Sequence, residues 1–498
     1  MTRFALQLSA LVVLSAACGD DGATFDGPDS GVEVDADVGA DASTDAGAGP
    51  TDAATPTGTD ASTDAGTDAG PETTNPADCP VGPADGCCPL LRYGGTDPDC
   101  DSLDCDALEA SEVIELDDLE GGERSTAWKG GTGVAWTGEE LALARTDWNA
   151  DGDGRDIVFE LRAPNGNLVT GPVRTPEVTT SSLSSRPAGE AALGYVVGTD
   201  RFVYANATSR SYDVVGIERD GSLAFATSTN LAWCNWNSGG WVDVLPTDDR
   251  ALVVGNRYTC AGSTNTPVAT EVLADGSAGL EREYGTGSRT RNCWAVSAAC
   301  DADCATPRFL YHCSFENQLQ LRGFDPTTFD ADPHEVLDTG YHAHPRGTAV
   351  ASDGERFFVV QTPGSLSTGD GSLIARPYRP GVGWEGEEYT QSNVIAEQMR
   401  IVWTGSGYLL AAVLWDRESG ETSTPLGDRH RFHIQLWHFD PDGNLRETFD
   451  LDPGMPGLHP NLAWAGGRVA MTWVRPIDHD GSWESDEPRR YLRFFSCP

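Results

Sequence analysis

The sequence predicts an all-β protein, a seven-bladed β-propeller, and three observations carry that prediction. First, a hydrophobic phrase recurs seven times, as VAWTGEELALA, LGYVVGTDRFVYA, VDVLPTDDRALVV, AVSAACDADCATPRFLYH, TAVASDGERFFVV, IVWTGSGYLLAAV and LAWAGGRVAMTW. Each copy is two short apolar runs joined by a turn rich in Gly, Asp or Thr, the pattern of a β-hairpin. The copies begin at Val134, Leu193, Val242, Ala295, Thr348, Ile401 and Leu462. Their period of roughly 50 to 60 residues is that of propeller blades. Second, each hairpin except the last is followed by a further apolar run and usually a tight turn, as in IVFELRAPNGN and YDVVGIERDGS. These turns place Gly166, Gly221, Gly276 and Gly443 after Asn or Asp, where positive φ is needed. Each repeat is therefore four strands, A to D. Third, the last repeat supplies only A (Leu462 to Gly466), B (Val469 to Val474) and C (Tyr491 to Phe495). The alternating segment EVIELDDLE, Glu112 to Glu120, precedes the first full repeat and is expected to serve as the outer strand of blade 7. Closing the ring buries the sheet faces and protects their edges. Six blades with a diverged extra hairpin is the alternative, because the repeat at Ala295 is weak.

Ahead of the propeller (residues 111–498) three segments are expected. Residues 1–17 combine Arg3, an apolar stretch from Phe4 to Leu14 and small residues, which describes a secretory signal. The ending LSAAC-Gly resembles a bacterial lipobox, in which Cys18 is lipidated and becomes the new N-terminus. Ser15 stands where such boxes usually carry Leu. Ordinary cleavage, releasing a free secreted protein, is the competing reading. Gly19 after the cysteine, by resemblance to enteric lipoproteins, implies sorting to the outer membrane. No other stretch is long and apolar enough to span a bilayer. Residues 18–78 are rich in Asp, Ala, Thr, Gly, Ser and Pro, with DASTDAG occurring twice. Such a segment cannot offset its ordering entropy by burial, so it reads as an extended, self-repelling tether. The net charge of −44 argues against nucleic acid or anionic lipid as a partner of the protein surface. A monomer is expected.

Thirteen cysteines less Cys18 leave twelve, and export makes disulfides the default. In a blade, strand A begins and strand B ends on the same face, which pairs Cys234 with Cys260 and Cys293 with Cys313. Cys300 and Cys304 flank the A–B turn of blade 4 and are expected to close a small loop. Cys497 ends the last C strand at the face where Cys105 precedes the closing strand, so Cys105 with Cys497 would lock the ring. Cys79, Cys87, Cys88 and Cys100 remain in a Cys-rich collar (residues 79–110), with three pairings open. A zinc site competes there, but the CxxC spacing of such sites is absent.

Function in propellers concentrates on the face built by the D–A and B–C loops. The blade 1 loop DWNADGDGRD carries Asp147, Asn149, Asp151 and Gly152 in the order of a Ca²⁺ loop, with Asp153 or Asp156 as the further carboxylate. It resembles the calcium loops of integrin-type propeller repeats, although the spacing to Asp156 is one residue longer. A solvated acidic loop is the alternative. Asp478, His479, Asp480 and Gly481 are a shorter fragment of the pattern. His344-Pro345 and His459-Pro460 stand just before strand A, with Arg186-Pro187 at the matching place in blade 2. With His342, His430 and His479 they could converge on a metal, but a proline that starts the strand is the better reading. Trp136, Trp403 and Trp464 fall in strand A as packing residues. Trp148 and Trp483 fall in long loops, where they could stack on a sugar ring or an aromatic partner.

Short enzyme signatures (G-x-S-x-G, H-E-x-x-H, the P-loop) are absent. The signal-Cys, acidic tether, Cys-rich collar and W-x-G-x-x-Y/F repeat, as in WTGSGYLLAAV at Trp403, resemble propeller-bearing outer-membrane lipoproteins of GC-rich Gram-negative bacteria. That resemblance spans nearly the whole chain and implies a fold and an address, but no activity. Two readings follow. One is a surface-anchored binding module for a glycan or envelope protein. The other is an extracytoplasmic hydrolase of polysaccharide type, with acids at the channel mouth. Absence of motif favours the first, and two carboxylates facing each other across the mouth would favour the second.

Overall fold

In a computed structural model the chain divides into two units, Met1–Ala69 and Gly70–Pro498. The structure describes residues 103–116, 131–148, 155–176, 187–208, 212–229, 242–259, 264–284, 293–301, 304, 306–313, 318–330, 335–339, 347–365, 370–415, 432–452, 457–475 and 489–498. The first unit lies wholly outside these residues, and with it the predicted signal, Cys18 and most of the tether. Cys79, Cys87, Cys88 and Cys100 lie outside them as well.

Seven antiparallel sheets make the second unit. Blade 1 is Gly133–Trp136, Leu141–Trp148, Arg155–Arg162 and Leu168–Pro176. Blade 2 is Pro187–Val196, Arg201–Thr208, Tyr212–Glu218 and Leu223–Thr229. Blade 3 is Val242–Pro246, Ala251–Thr259, Thr264–Val272 and Ala278–Glu283. The diverged repeat is a full blade 4, Cys293–Ala299, Arg308–Cys313, Gln318–Gly323 and Glu335–Thr339. Blade 5 is Thr348–Ser352, Phe357–Gln361, Asp370–Arg379 and Tyr389–Ser392, with two short strands added to its third. Blade 6 is Ala396–Trp403, Tyr408–Trp415, Phe432–Phe439 and Leu445–Asp450. Blade 7 is Leu458–Trp464, Arg468–Arg475 and Arg489–Ser496, completed by residues from the N-terminal side of the ring. The A strands of successive blades lie against one another, and that of blade 7 returns to blade 1. The protein is thus a seven-bladed propeller, and the six-bladed alternative is excluded.

The closing strand differs from expectation in place and continuity. It begins at Glu109 and comes in two pieces, Glu109–Ala110 opposite Ser496 and Phe495, and Ile114–Glu115 opposite Leu492 and Tyr491. Between them Ser111 takes over the pairing. Its N–H donates to the Phe494 carbonyl (2.8 Å), and its hydroxyl accepts the Phe494 N–H (3.0 Å). The chain bulges outward over Glu112 and Val113, then rejoins the sheet. Leu116 still donates to Arg490 O (2.9 Å), and residues 117–120 lie outside the described set.

Alternating apolar residues fill the gaps between blades. Phe358 of blade 5 stacks on Tyr408 of blade 6 at 4.4 Å, and Phe159 of blade 1 meets Phe202 of blade 2 at 5.2 Å. Trp403 and Trp464 are buried in this packing, and Trp136 is half-buried. Tyr212 of blade 2 adds a polar stitch. Its hydroxyl accepts the Asn256 N–H of blade 3 (2.7 Å) and donates to the Asn256 carbonyl (3.0 Å).

The C–D turns lock the outer rim. Gly221 has φ 85 and Gly276 φ 82, and each turn tucks beneath the D strand of the preceding blade. A Cβ on Gly221 would lie 2.6 Å from Val173 Cβ, and one on Gly276 would collide with Phe225. Positive φ and rigid neighbours act together, so Gly276→Ala is expected to cost about 2–4 kcal/mol, left-handed strain plus overpacking. Urea unfolding checks this, and a loss below about 0.5 kcal/mol, the range of an ordinary surface substitution, would count against it.

A second prediction concerns acid. His438, on strand C of blade 6, is fully buried, and neither ring nitrogen has a hydrogen-bond partner. Burial, reinforced by the Arg446 guanidinium, pushes its pKa down to about 4 against the opposing pull of Asp104, Asp106 and Asp440. The unfolded chain takes up this proton near pH 6.5 and the folded chain only near 4. Stability is therefore full above pH 6.5 and is lost as pH falls towards 4, by on the order of 2–3 kcal/mol. His438→Gln should flatten this part of the pH profile of Tm, and an unchanged slope would refute the assignment.

Candidate functional site at the channel mouth

The A strands wall the central channel, and in four blades they are longer than their apolar runs. In blades 2, 4, 6 and 7 they start at Pro187, Cys293, Ala396 and Leu458. Each extension meets strand B through a bulge, between Pro187 and Ala191, Trp294 and Ser297, Glu397 and Arg400, and Leu458 and Asn461. A bulge re-aims the side chains it carries. His459-Pro460, expected just before strand A, lies inside it, and Pro187 is the first residue of its strand.

In blades 6 and 7 the bulges put Gln398 (φ 47) and His459 (φ 54) in the left-handed region. That costs a non-glycine residue about 1–2 kcal/mol, and such strain clusters where side chains must be aimed. The two strained residues hold each other, the His459 N–H donating to Gln398 Oε1 at 2.8 Å. With Gly131, Ala191, Arg400, Pro460 and Asn461 they line a small, water-sized cavity. Strand A runs inward from the D–A loop face, so Gln398 and His459 form the rim, and Arg400 and Asn461 lie deeper.

The deeper residues reach across the ring. Arg400 of blade 6 donates from Nη2 to Val242 O of blade 3 (3.3 Å). Asn461 of blade 7 donates from Nδ2 to Thr132 O ahead of blade 1 (3.2 Å) and to Ala191 O of blade 2 (2.9 Å). Asp243, next to Val242, accepts the Ala298 N–H (2.9 Å) and the Ser297 hydroxyl. Desolvation raises the Asp243 carboxyl above its usual range, against Arg400 and these two donors, which favour the ionised form. The residue as a whole is half-buried. Among the described side chains of the seven A strands, Asp243 is the one carboxylate and Arg400 the one guanidinium. Gln398, Arg400, Asn461 and Asp243 did not stand out in the sequence. The available signal was the polar insertions QMR and HPN directly ahead of two apolar phrases.

In the acidic loop of blade 1, Asp147 and Asp156 are register partners across strands B and C. Arg174 of strand D spans both, at 3.3 Å from Asp147 and 3.7 Å from Asp156, and Arg490 of blade 7 lies 3.8 Å from Asp147. These two carboxylates are compensated by guanidinium groups and do not make a calcium cage on their own. A Ca²⁺ ion would draw on Asn149, Asp151 and Asp153, which lie outside the described residues, as do Trp483, Asp478–Gly481, His342, His344 and His430. Trp148 ends strand B, and its side chain also lies outside them. Of the cysteine pairs, Cys105–Cys497 and Cys300–Cys304 are disulfides. Cys313 is disulfide-bonded and stands opposite Cys293 in register. Cys234 and Cys260 lie outside the described residues.

No family model and no curated protein matches the chain. Among solved structures it is similar to the polysaccharide lyase Uly1, at 8% identity and a TM-score of 0.45, over 77% of this chain and 94% of that one. It is similar to a phage phi92 endosialidase at 10% identity and a TM-score of 0.41, over 78% and 69% of the two chains. The β-propeller domain of the Trilobed protease from Pyrococcus furiosus shares 9% identity, with a TM-score of 0.35, over 70% and 91%. Likeness at this level says nothing of whether this chain acts on what they act on, and the seven-bladed ring stands on this chain's own strand pairing.

Proposed function

We propose that the protein is a recognition module of the cell envelope that binds a glycan at the mouth of its channel, held to the outer membrane by a lipid on Cys18. The observation that carries the glycan reading is the polar rim at Gln398 and His459. It presents amides, an imidazole and a guanidinium, groups whose donors and acceptors suit sugar hydroxyls. Hydrolysis by paired acids is the weaker reading, because the one described carboxylate of the A strands is engaged by Ala298, Ser297 and Arg400. Leu103 donates to Thr404 O in the A–B turn of blade 6 (3.2 Å), so the chain joins the propeller on the face opposite the cavity.

The test is a screen of the full chain carrying Cys18→Ser against immobilised glycans and envelope proteins. Retention on a glycan supports the reading, whereas retention on a protein alone, or release of shortened sugars, would replace it. The anchor is tested separately by fractionation. Wild type is expected with membranes and Cys18→Ser in the soluble fraction, and a soluble wild type would remove the lipid. Calcium belongs to the blade 1 loop, where a fall in Tm with EDTA would establish it and an unchanged Tm would dismiss it.

A further inference from the structure

We infer that the outer edge of blade 2, strand D at Leu223–Thr229, is a docking site where a basic, extended segment of a partner protein adds a fifth strand to the sheet. Strand A walls the channel and strand D lies farthest from it, so this edge is separate from the site at the mouth. In each blade strand D ends its sheet, and an end strand points alternate N–H and C=O groups at solvent, where another strand can pair with them. Six of the seven edges are blunted against such pairing. Blade 1 carries two prolines and an arginine there, and blades 3, 4 and 6 carry two or three charged residues each. Blade 5 offers four residues directly after Glu387 and Glu388, and the blade 7 edge is two pieces parted by a bulge.

Blade 2 offers LAFATST, with no charge, proline or glycine. After a bulge at Ala224 the strand runs in unbroken register from Phe225 opposite Gly216 to Thr229 opposite Tyr212. Leu223 packs on the core between blades 1 and 2 and Phe225 on that between blades 2 and 3, so the edge is held from both sides. Ala224 and Ala226 are exposed, and their methyl groups are too small to screen the backbone. Charge selects the occupant. Asp220, just ahead of the strand, and Asp275, in the blade 3 turn that tucks beneath Phe225, are both exposed. The Ser222 hydroxyl and N–H hold the Asp220 carboxyl below the usual carboxylate range, and Ser277 does the same for Asp275. Both therefore stay ionised, and a strand bearing lysine or arginine complements them. A second copy of this chain is disfavoured, because two molecules of net charge −44 repel each other.

Octapeptides that alternate lysine with valine, threonine or tyrosine are the probe, titrated against the full chain carrying Cys18→Ser. They are expected to bind, and the same peptides with glutamate for lysine are not. N-methylating the peptide along one edge removes the donors that pair with blade 2, and one of the two possible patterns should weaken binding about tenfold or more. Ala226→Lys should do the same, because it sets a cation opposite those of the peptide. Ala226 is exposed, so the variant keeps the fold, and the methylated probes leave the protein untouched in any case. Affinity that neither methylation pattern nor Ala226→Lys changes would mean attraction to the acidic surface at large, and overturns the edge assignment. Equal binding of the glutamate peptides overturns the basic partner, and binding of neither set overturns the site. A chain that sediments as a dimer, and as a monomer with Ala226→Lys, gives the edge to a second copy and overturns the partner segment.

Discussion

Replacing Cys105 and Cys497 with serine is expected to cost the propeller about 6 kcal/mol on the chain-entropy account, the larger loss of the two cross-links whose partners are both described. The bond joins positions 392 residues apart, at the seam where the ring closes. Backbone pairing across that seam is thin, since the closing strand is two pieces of two residues each. Other ties gather close to the disulfide. Leu103 is fully buried among residues of blades 6 and 7, and Arg446 donates to the Leu103 and Cys105 carbonyls and pairs with Asp104 at 2.9 Å. Leu108 donates to Glu447 (2.6 Å). Apart from Leu103 these contacts are partly exposed, and they hold the strap only while its ends stay close, which the disulfide ensures. Guanidinium unfolding of the Ser/Ser variant beside wild type measures the loss. A difference below about 1 kcal/mol, far under the entropic expectation, would mean that the strand alone closes the ring.

Arg490→Met is expected to cost about 3 kcal/mol, through a buried charge network shared by the last blade and the first. Arg490 is fully buried, donates to Thr146 O (2.7 Å) and stands beside Asp147. Arg145, also fully buried, donates to Leu116 O (2.7 Å) and faces Glu160 at 3.8 Å. The methionine fills similar space but takes the guanidinium donor from the Thr146 carbonyl and one positive neighbour from Asp147. A buried acceptor that loses its charged donor and a carboxylate that loses a compensating charge are both costly, and dispersion from the thioether recovers little of either. Arg490→Met combined with Asp147→Asn should recover part of the loss, because the stranded charge goes with it. Equal losses in the single and double variants would show that Asp147 is not the partner that matters.

Blade number, strand order and the rim turns were legible in the sequence, because each blade must repeat the same apolar pairing and the same positive-φ glycine. Gly166, Gly221, Gly276 and Gly443 all have positive φ. The closing strand was legible as to its role but not its bounds. Its alternation suggested Glu112 to Glu120, whereas pairing starts at Glu109, because the serine hydroxyl at 111 substitutes for strand geometry. The candidate site was nearly invisible. Gln398, Arg400 and Asn461 carry no periodic signal, and they become neighbours only when blades 6 and 7 meet beside blade 1. The acidic loop stood out in the sequence, yet two of its carboxylates are met by Arg174 of strand D and by Arg490 of blade 7, a residue more than 300 positions away in sequence.

What the sequence by itself determined is the repeating part of this protein, seven hairpin phrases and the strands that follow them. Local patterning suffices there, since hydrophobic alternation and turn chemistry act over a few residues. What only the tertiary structure decided is the part that breaks the repeat. Bulges in four inner strands, the reach of Arg400 and Asn461 to carbonyls of other blades, and guanidinium groups arriving from other strands and blades all depend on ring closure. Closure brings together residues hundreds of positions apart, and no local signal encodes that meeting.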